Sequence, residues 1–213
     1  QGHNRLLEDL EDDFVLVMNP DIMLAPNTLI ELHRPFARQR VGMVEARQLP
    51  IEHPKQYDPV TGETSWAATA CTLVPAEVMR ELNGFDHQAF FLYCDDVDFS
   101  WRVRLSGRKV IYQATASAFH DKRLGQVGAW VPGAAEKYYS AEAALMLAHK
   151  YSRPDLVERI LEDFSRSSEP HFAKALETFE KRRAENTLPT PIDPKHGVGV
   201  FTDGAYAPHR FVM

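Results

Sequence analysis

Five consecutive apolar residues, Phe14-Val15-Leu16-Val17-Met18, stand between the acidic cluster Glu11-Asp12-Asp13 and the turn-forming Asn19-Pro20-Asp21. A run this short and this uniformly apolar fits a strand buried in a sheet covered on both faces, because a half-exposed strand would alternate. Helical patterns interleave with further strand signals along the chain, which points to an α/β class. Leu6, Leu7 and Leu10 predict a short helix over Asn4–Leu10. Asn27–Arg38 reads as a helix with Pro26 near its first turn and Pro35 distorting or ending it. Val41–Val44 and Lys109–Gln113 read as strands, and Pro75–Leu82 as a helix closed by Asn83-Gly84.

Between these elements, Glu45–Ser65 is loop-rich, with Pro50, Pro54, Pro59 and Gly62. A loop of this length in a compact domain tends to be functional or mobile. Further on, Ala134–Tyr151 is helical in pattern, with Tyr138, Leu145 and Ala148 as candidate buried residues. Two more helices, Asp155–Phe164 and His171–Arg183, follow, and Thr187–Met213 is rich in Pro and Gly and predicts no regular element.

The chain of 213 residues is long enough for one domain with a sizeable core and a small appendage. A net charge of -6 argues against a nucleic-acid partner, which would normally meet a basic face. Cys71 and Cys94 make neither a disulfide framework nor a zinc cluster, so a reduced, cytoplasmic compartment is the default. No apolar run approaches the length of a membrane span. Lys181-Arg182-Arg183 suit the end of a helix and offer a weak candidate for peripheral contact with the inner face of an anionic membrane.

The richest stretch for chemistry is Phe90–Gly107. Aromatic residues lead into Asp95, Asp96 and Asp98. Val97, Trp101 and Leu105 then recur on one helical face, and Gly107 sits where a helix ends in a left-handed residue. Asp95 and Asp96 fall at the first turn, where free N–H groups favour ionised carboxylates. Two readings stand there, an acidic cap on an ordinary helix and a carboxylate held as a general base. Asn19-Pro20-Asp21 has two readings as well. It is a turn by composition, and it follows a strand end, where ligands bind in open α/β sheets. His120 is either structural or a ligand.

The succession Asn19-Pro20-Asp21, Trp66 with small residues, Gly84-Phe85-Asp86, Asp95-Asp96 and Ala118-Phe119-His120 resembles inverting glycosyltransferases of family 2, especially the rhamnosyltransferase-like branch. The match runs from about Gly2-His3-Asn4 through His120, with a weaker echo to Tyr151. The chain departs from the family pattern at Asp95, where glutamate is usual, at Thr69 for serine and at Ala70 for glycine. The resemblance implies Asn19 and Asp21 as the metal and donor-diphosphate motif, and His120 completing a site for Mn2+ or Mg2+. It implies Asp96 as general base, Asp95 orienting the acceptor or the base, and Trp66, Thr69 and Ala70 facing the acceptor. Asp98 is expected to serve the helix or neighbouring loops. Lys122 and Arg123, in a loop from Asp121 to Pro132, suit a diphosphate, and a solvated loop explains them nearly as well.

The resemblance therefore implies a GT-A-like mixed sheet flanked by helices over residues 1–152, with a helical extension and irregular tail over 153–213. It implies transfer of a sugar, with inversion, from a nucleotide-diphosphate donor (dTDP-rhamnose or a UDP-sugar) to a hydroxyl of a glycan or lipid-linked acceptor. Family members carry further strands upstream of the Gly-x-Asn segment, so the base-binding part is expected to lie outside this sequence. A partner chain, a swapped element or a further segment would then cover the sheet edge. The alternative is a non-catalytic glycan-binding or assembly module.

Overall fold

The computed structural model describes residues 2–7, 10–52, 55–121, 132–202 and 205–206. They group into two compact units, one taking residues 1–85 and 96–130 and the other residues 86–95 and 131–213. Lys122, Arg123 and the two glycines of their loop lie outside the described residues.

The first unit is built on a mixed sheet. Its elements are α1 (Gly2–Arg5), β1 (Phe14–Met18), β2 (Ile22–Leu24), α2 (Thr28–His33), a 3-10 turn at Arg34–Ala37, β3 (Val41–Leu49), β4 (Glu63–Thr64), β5 (Cys71–Pro75), α3 (Ala76–Glu81), α4 (Asp95–Leu105) and β6 (Lys109–His120). The strand order is β1-β5-β3-β6-β2, with β4 also on β6. β3 and β6 run parallel, and the other pairs are antiparallel. One face of the sheet packs Val17, Met43, Val74 and Val110 against Val78 and Met79 of α3 and Phe99 and Val103 of α4. The other packs Val44, Leu73, Ile111 and Ala118 against Leu32 of α2.

Several expectations shift against this frame. β1 stands at one end of the strand order and is mostly half-buried rather than enclosed on both faces. The helix expected over Asn4–Leu10 stops at Arg5. The expected helix over Asn27–Arg38 divides at Pro35, where the ring tightens the last turn into 3-10 geometry. β3 and β6 run longer than their apolar cores. Paired strands extend as far as the partner offers hydrogen bonds, whatever the side chains. In α4, Val97 and Trp101 are fully buried but Leu105 is 43% exposed, because the last turn emerges from the sheet face.

α4 is fastened by charge as well as by packing. Asp98 is completely buried, and its Oδ2 accepts from Arg102 Nε at 2.8 Å. Arg102 also donates to the carbonyls of Leu82 (2.7 Å) and Gly84 (2.8 Å), so one guanidinium closes the helix onto the turn after α3. That turn is left-handed at Asn83 (φ 56°) and Gly84 (φ 62°), and a β-carbon at Gly84 would collide with Asn4 Oδ1. Asn4 in turn donates to Phe85 O (2.8 Å) and accepts from Phe85 N–H (2.9 Å). Asp98 thus serves the helix, as expected.

The second unit holds α5 (Ala134–Lys150), α6 (Pro154–Arg166) and α7 (Pro170–Ala184). Leu145 and Ala148 are buried as expected, while Tyr138 is half-buried with its hydroxyl 3.1 Å from Thr178 Oγ1. α6 buries Leu156, Val157, Ile160, Leu161 and Phe164, an i, i+1, i+4, i+5, i+8 stripe. Both α6 and α7 begin on a proline, a position with no N–H to lose. Arg182 donates to the carbonyls of Gln88 and Thr187, and Arg183 pairs with Glu158 and Glu180. Lys181 stands 4.0 Å from Glu185, so all three basic residues at this helix end are engaged within the chain. No helix among the described residues is long and apolar enough to cross a membrane.

Removing Arg102 would take the guanidinium away from the buried Asp98 carboxylate. The variant Arg102→Leu is expected to lose about 3–5 kcal/mol of unfolding free energy, read by urea denaturation. A loss below ~1 kcal/mol would show that the pair does not hold α4.

Candidate active site

β6 is twelve residues long and delivers its last residue to the end of the sheet. Along the β3 pairing, Ala46 faces Gln113 but Arg47 faces Ser117, so β6 advances four residues while β3 advances one. The three extra residues bulge toward α2. There Thr28 Oγ1 donates to Ser117 O (2.5 Å) and Thr115 Oγ1 donates to Glu31 Oε2 (2.6 Å). Pairing then resumes with Gln48 beside Ala118, and on the other edge Ile22 faces His120. The register places the last residue of β6 next to the turn that follows β1.

That turn is Asn19-Pro20-Asp21, closed by Ile22 N–H to Asn19 O (3.2 Å). It is tied down on both sides, by Asn19 N–H to Ala70 O (3.0 Å) and Asp121 N–H to Asp21 O (3.0 Å). The two readings of the motif are therefore compatible: it is a turn, and the turn presents its side chains to His120. His120 Nε2 lies 3.4 Å from Asp21 Oδ1 and 3.4 Å from Asn19 Nδ2. The His120 side chain is 10% exposed and the Asp21 carboxylate 47%, so the pair has one walled side and one open side.

An imidazole nitrogen and a carboxylate oxygen are an ordinary donor set for Mn2+ and accord with Mg2+ binding through few protein ligands. Adjacent ligands of an octahedral ion at ~2.1 Å stand about 3.0 Å apart, close to the separation here. Among the described residues no third His, Cys, Asp or Glu joins them in a metal-holding group. The residues fit an ion that takes its other ligands from water or a substrate.

Asp96 is in the second position of α4, half-buried, and its Oδ1 accepts the N–H of Val97 at 2.8 Å. Asp95 opens the helix and is also half-buried. The two residues before it, Tyr93 (φ 67°) and Cys94 (φ 58°), are both left-handed without being glycine. Each such conformation costs of order 1–3 kcal/mol and persists only where its surroundings enforce it. The chain thus enters the carboxylate pair through a forced bend.

Segment 66–70 links the two parts of the site. Ala67 N–H donates to Ser100 Oγ (3.0 Å), and Ser100 Oγ donates to Asp96 O (2.7 Å). At the other end of the segment, Ala70 O holds Asn19. Thr69 and Ala70 are half-buried in the turn before β5. The Trp66 side chain is buried, 3% exposed, and serves as a platform for Lys55, whose ammonium stands 4.0 Å from its ring centroid. Lys55 also pairs with the carboxylate of Glu45, and both side chains are nearly inaccessible. Burial pushes the Glu45 carboxyl above its usual range, and the Lys55 ammonium pulls it back. Cys71, at the start of β5, is a free thiol pushed up to about 11 by burial and so is not a nucleophile.

Four contributors escape a reading of the sequence: Ser100, Gln48, Glu45 and Lys55. Gln48 Oε1 sits 2.9 Å from His120 Nδ1. Ser100 lies between Asp96 and Arg104 on α4, and its contact with segment 66–70 exists only in the folded chain.

With this geometry in place, comparison with known proteins is informative. No family model matches the chain. Rhamnosyltransferase WbbL of Escherichia coli (strain K12) is 24% identical over 147 residues, covering 53% of this chain and 55% of that protein. N-acetylglucosaminyl-diphospho-decaprenol L-rhamnosyltransferase of Mycobacterium tuberculosis (strain CDC 1551 / Oshkosh) is 24% identical over 147 residues, covering 52% of this chain and 48% of that protein. The chain spans about half the length of these curated relatives. Among solved structures, GalNAc-T7 with UDP, GalNAc and Mn2+ superposes with a TM-score of 0.59 at 10% identity, covering 92% of this chain and 42% of that one.

This is a GT-A fold, and its sequence relatives include rhamnosyltransferases. By the general rule for open α/β sheets, the turn after β1 and the end of β6 lie where side chains can reach a ligand.

The buried Glu45–Lys55 pair yields a signed pH dependence. The Glu45 carboxyl has its ordinary value near 4.5 in the unfolded chain and a raised one when folded. Above pH 4.5 the native state therefore holds more of this proton, and the contribution of Glu45 to stability falls as pH rises through the window. Removing the counter-charge widens the window upward. Lys55→Met is expected to cost little near pH 4 and about 3–5 kcal/mol near neutrality, measured by urea unfolding across pH. A pH-independent loss would contradict the assignment.

Proposed function

We propose that the chain transfers a sugar from a nucleotide-diphosphate donor to a hydroxyl of a glycan or lipid-linked acceptor, with inversion at the anomeric carbon. The observation that carries this reading is the meeting of Asn19, Asp21 and His120 at the end of the sheet, with Asp96 tied to the same segment through Ser100. Relatives named as rhamnosyltransferases favour a deoxyhexose donor such as dTDP-rhamnose over a UDP-sugar.

Asp21 and His120 would hold Mn2+ or Mg2+. That ion, when bound, offsets the negative charge of the departing diphosphate. Asn19 contributes a neutral amide beside the phosphate oxygens and lets the turn form without a second carboxylate. Asp96 accepts the proton of the acceptor hydroxyl as its oxygen forms a bond to the anomeric carbon. The bond from that carbon to the diphosphate oxygen breaks with its electron pair, so one displacement inverts the centre. The N–H of Val97 at the start of α4 holds one oxygen of the Asp96 carboxylate in place. Asp95 orients the acceptor or the base, and Thr69 and Ala70 line the acceptor side. The buried Trp66 acts there as the floor of that segment, through Lys55, rather than as a contact surface.

Two substitutions separate the roles. Asp96→Asn is expected to lower kcat by roughly 10²–10⁴-fold while leaving metal-dependent nucleotide-sugar binding in place. Asp21→Ala is expected to weaken that binding. Steady-state kinetics with Mn2+ and a calorimetric titration of the donor read both. Wild-type turnover in Asp96→Asn would remove it as the base. A folded wild-type chain that binds glycans but turns over no nucleotide sugar would favour the non-catalytic module.

A further inference from the structure

The partner of His120 on its far side is Gln48, which nothing in the proposed chemistry uses. The parallel pairing of β3 and β6 sets Gln48 beside Ala118, two residues before His120. Alternate residues of a strand share a face, so Gln48 and His120 project to the same side of the sheet. Both are buried, at 2% and 8% exposure, and Gln48 Oε1 lies 2.9 Å from His120 Nδ1.

We propose that Gln48 is a positioning residue for the metal site: its side-chain carbonyl accepts the His120 Nδ1 proton and so fixes the tautomer that bares the Nε2 lone pair toward Asp21. The inference rests on the reading of Asp21 and His120 as metal ligands.

The orientation of the Gln48 amide follows from its other neighbour. Gln48 is among the groups that favour ionised Glu45, and an amide does this only through its N–H side. Its Nε2 is buried and, among the described residues, has no partner at hydrogen-bond distance. Rotating the amide would turn a carbonyl oxygen toward that carboxylate and an N–H toward the imidazole. The Lys55 ammonium, paired with Glu45, favours its charged form and so acts in the same direction.

A carbonyl oxygen cannot donate, so Nδ1 must carry a proton for the 2.9 Å contact to be a hydrogen bond. The opposite neutral tautomer would press two acceptors together where no water relieves them, a costly arrangement for buried groups. Asp21 competes by favouring a proton on Nε2. Its contact is longer, 3.4 Å, and its carboxylate is 47% exposed, so water satisfies it instead. Asn19 Nδ2, also at 3.4 Å, favours a bare Nε2. The shorter, buried contact decides. A metal-binding histidine whose second nitrogen donates to a fixed oxygen is both oriented and more basic, and loss of such a partner typically costs 10–100-fold in metal affinity.

The test uses the whole chain. Long-range 1H–15N NMR of labelled protein at pH 8.5, with His120 assigned through His120→Gln, reads the tautomer without metal. Wild type is expected to show Nδ1–H, and an Nε2–H ring overturns the inference with no variant needed. Mn2+ alone is then titrated by calorimetry. Gln48→Met, similar in length but without the acceptor, is expected to lose the tautomer bias and to bind Mn2+ about 10–100-fold more weakly. Wild-type tautomer and affinity in Gln48→Met would overturn the role of Gln48. Wild-type protein with the Nδ1–H ring but no Mn2+ affinity would instead overturn the metal reading, and with it the purpose given to this contact.

Discussion

The pairing of β6 with β3 is the interaction on which the first unit depends. β6 is the longest strand and the hub of the sheet, meeting β3 on one edge and both β4 and β2 on the other. The three-residue insertion at 114–116 interrupts the β3 pairing, and α2 braces it through Thr28 and Glu31. Because side chains alternate across a strand, a slip of one residue beyond the bulge would turn His120 to the opposite face. The same pairing sets Gln48 behind His120 and, through β2, Asp21 in front of it. One register therefore fixes three residues of the proposed metal site.

Two buried ion pairs of the first unit do different mechanical jobs. Asp98 and Arg102 close α4 onto the Gly84 turn, a brace that an apolar core alone would not orient. Glu45 and Lys55 lie under segment 66–70, against Trp66, and carry their electrostatic influence toward Gln48. Buried ion pairs rarely add net stability compared with apolar packing, and their retention is often explained by specificity of arrangement. Here both pairs border the elements that present Asp96, Ala70 and His120, which fits that explanation.

The sequence marked residues that the fold brings together more clearly than it marked where the elements end. Asn19-Pro20-Asp21 is readable because turn formers follow an apolar strand, and the structure brings Asn19 and Asp21 to His120 across 101 residues in the case of the Asn19 contact. The exact ends of β3 and β6 were not readable, since hydrogen bonding to a partner strand extended them past their apolar residues. Trp66 is placed at the acceptor side by the resemblance alone; its burial and its contact with Lys55, eleven residues away, carry no local signal. Gln48 was silent for the same reason, as its role exists only in the β3–β6 register. Leu105 failed as a core residue because helical periodicity gives the face of a helix but not where the sheet beneath it ends.

The account turns on whether the turn after β1 and the end of β6 hold one ion together. A crystal of the wild-type chain grown with Mn2+ and a nucleoside diphosphate, measured near the manganese absorption edge, tests this directly. The prediction is a single anomalous peak within about 2.3 Å of both an Asp21 carboxylate oxygen and His120 Nε2, with the diphosphate on its open side. A bound nucleotide with manganese elsewhere, or with His120 Nε2 turned away from it, would contradict the account.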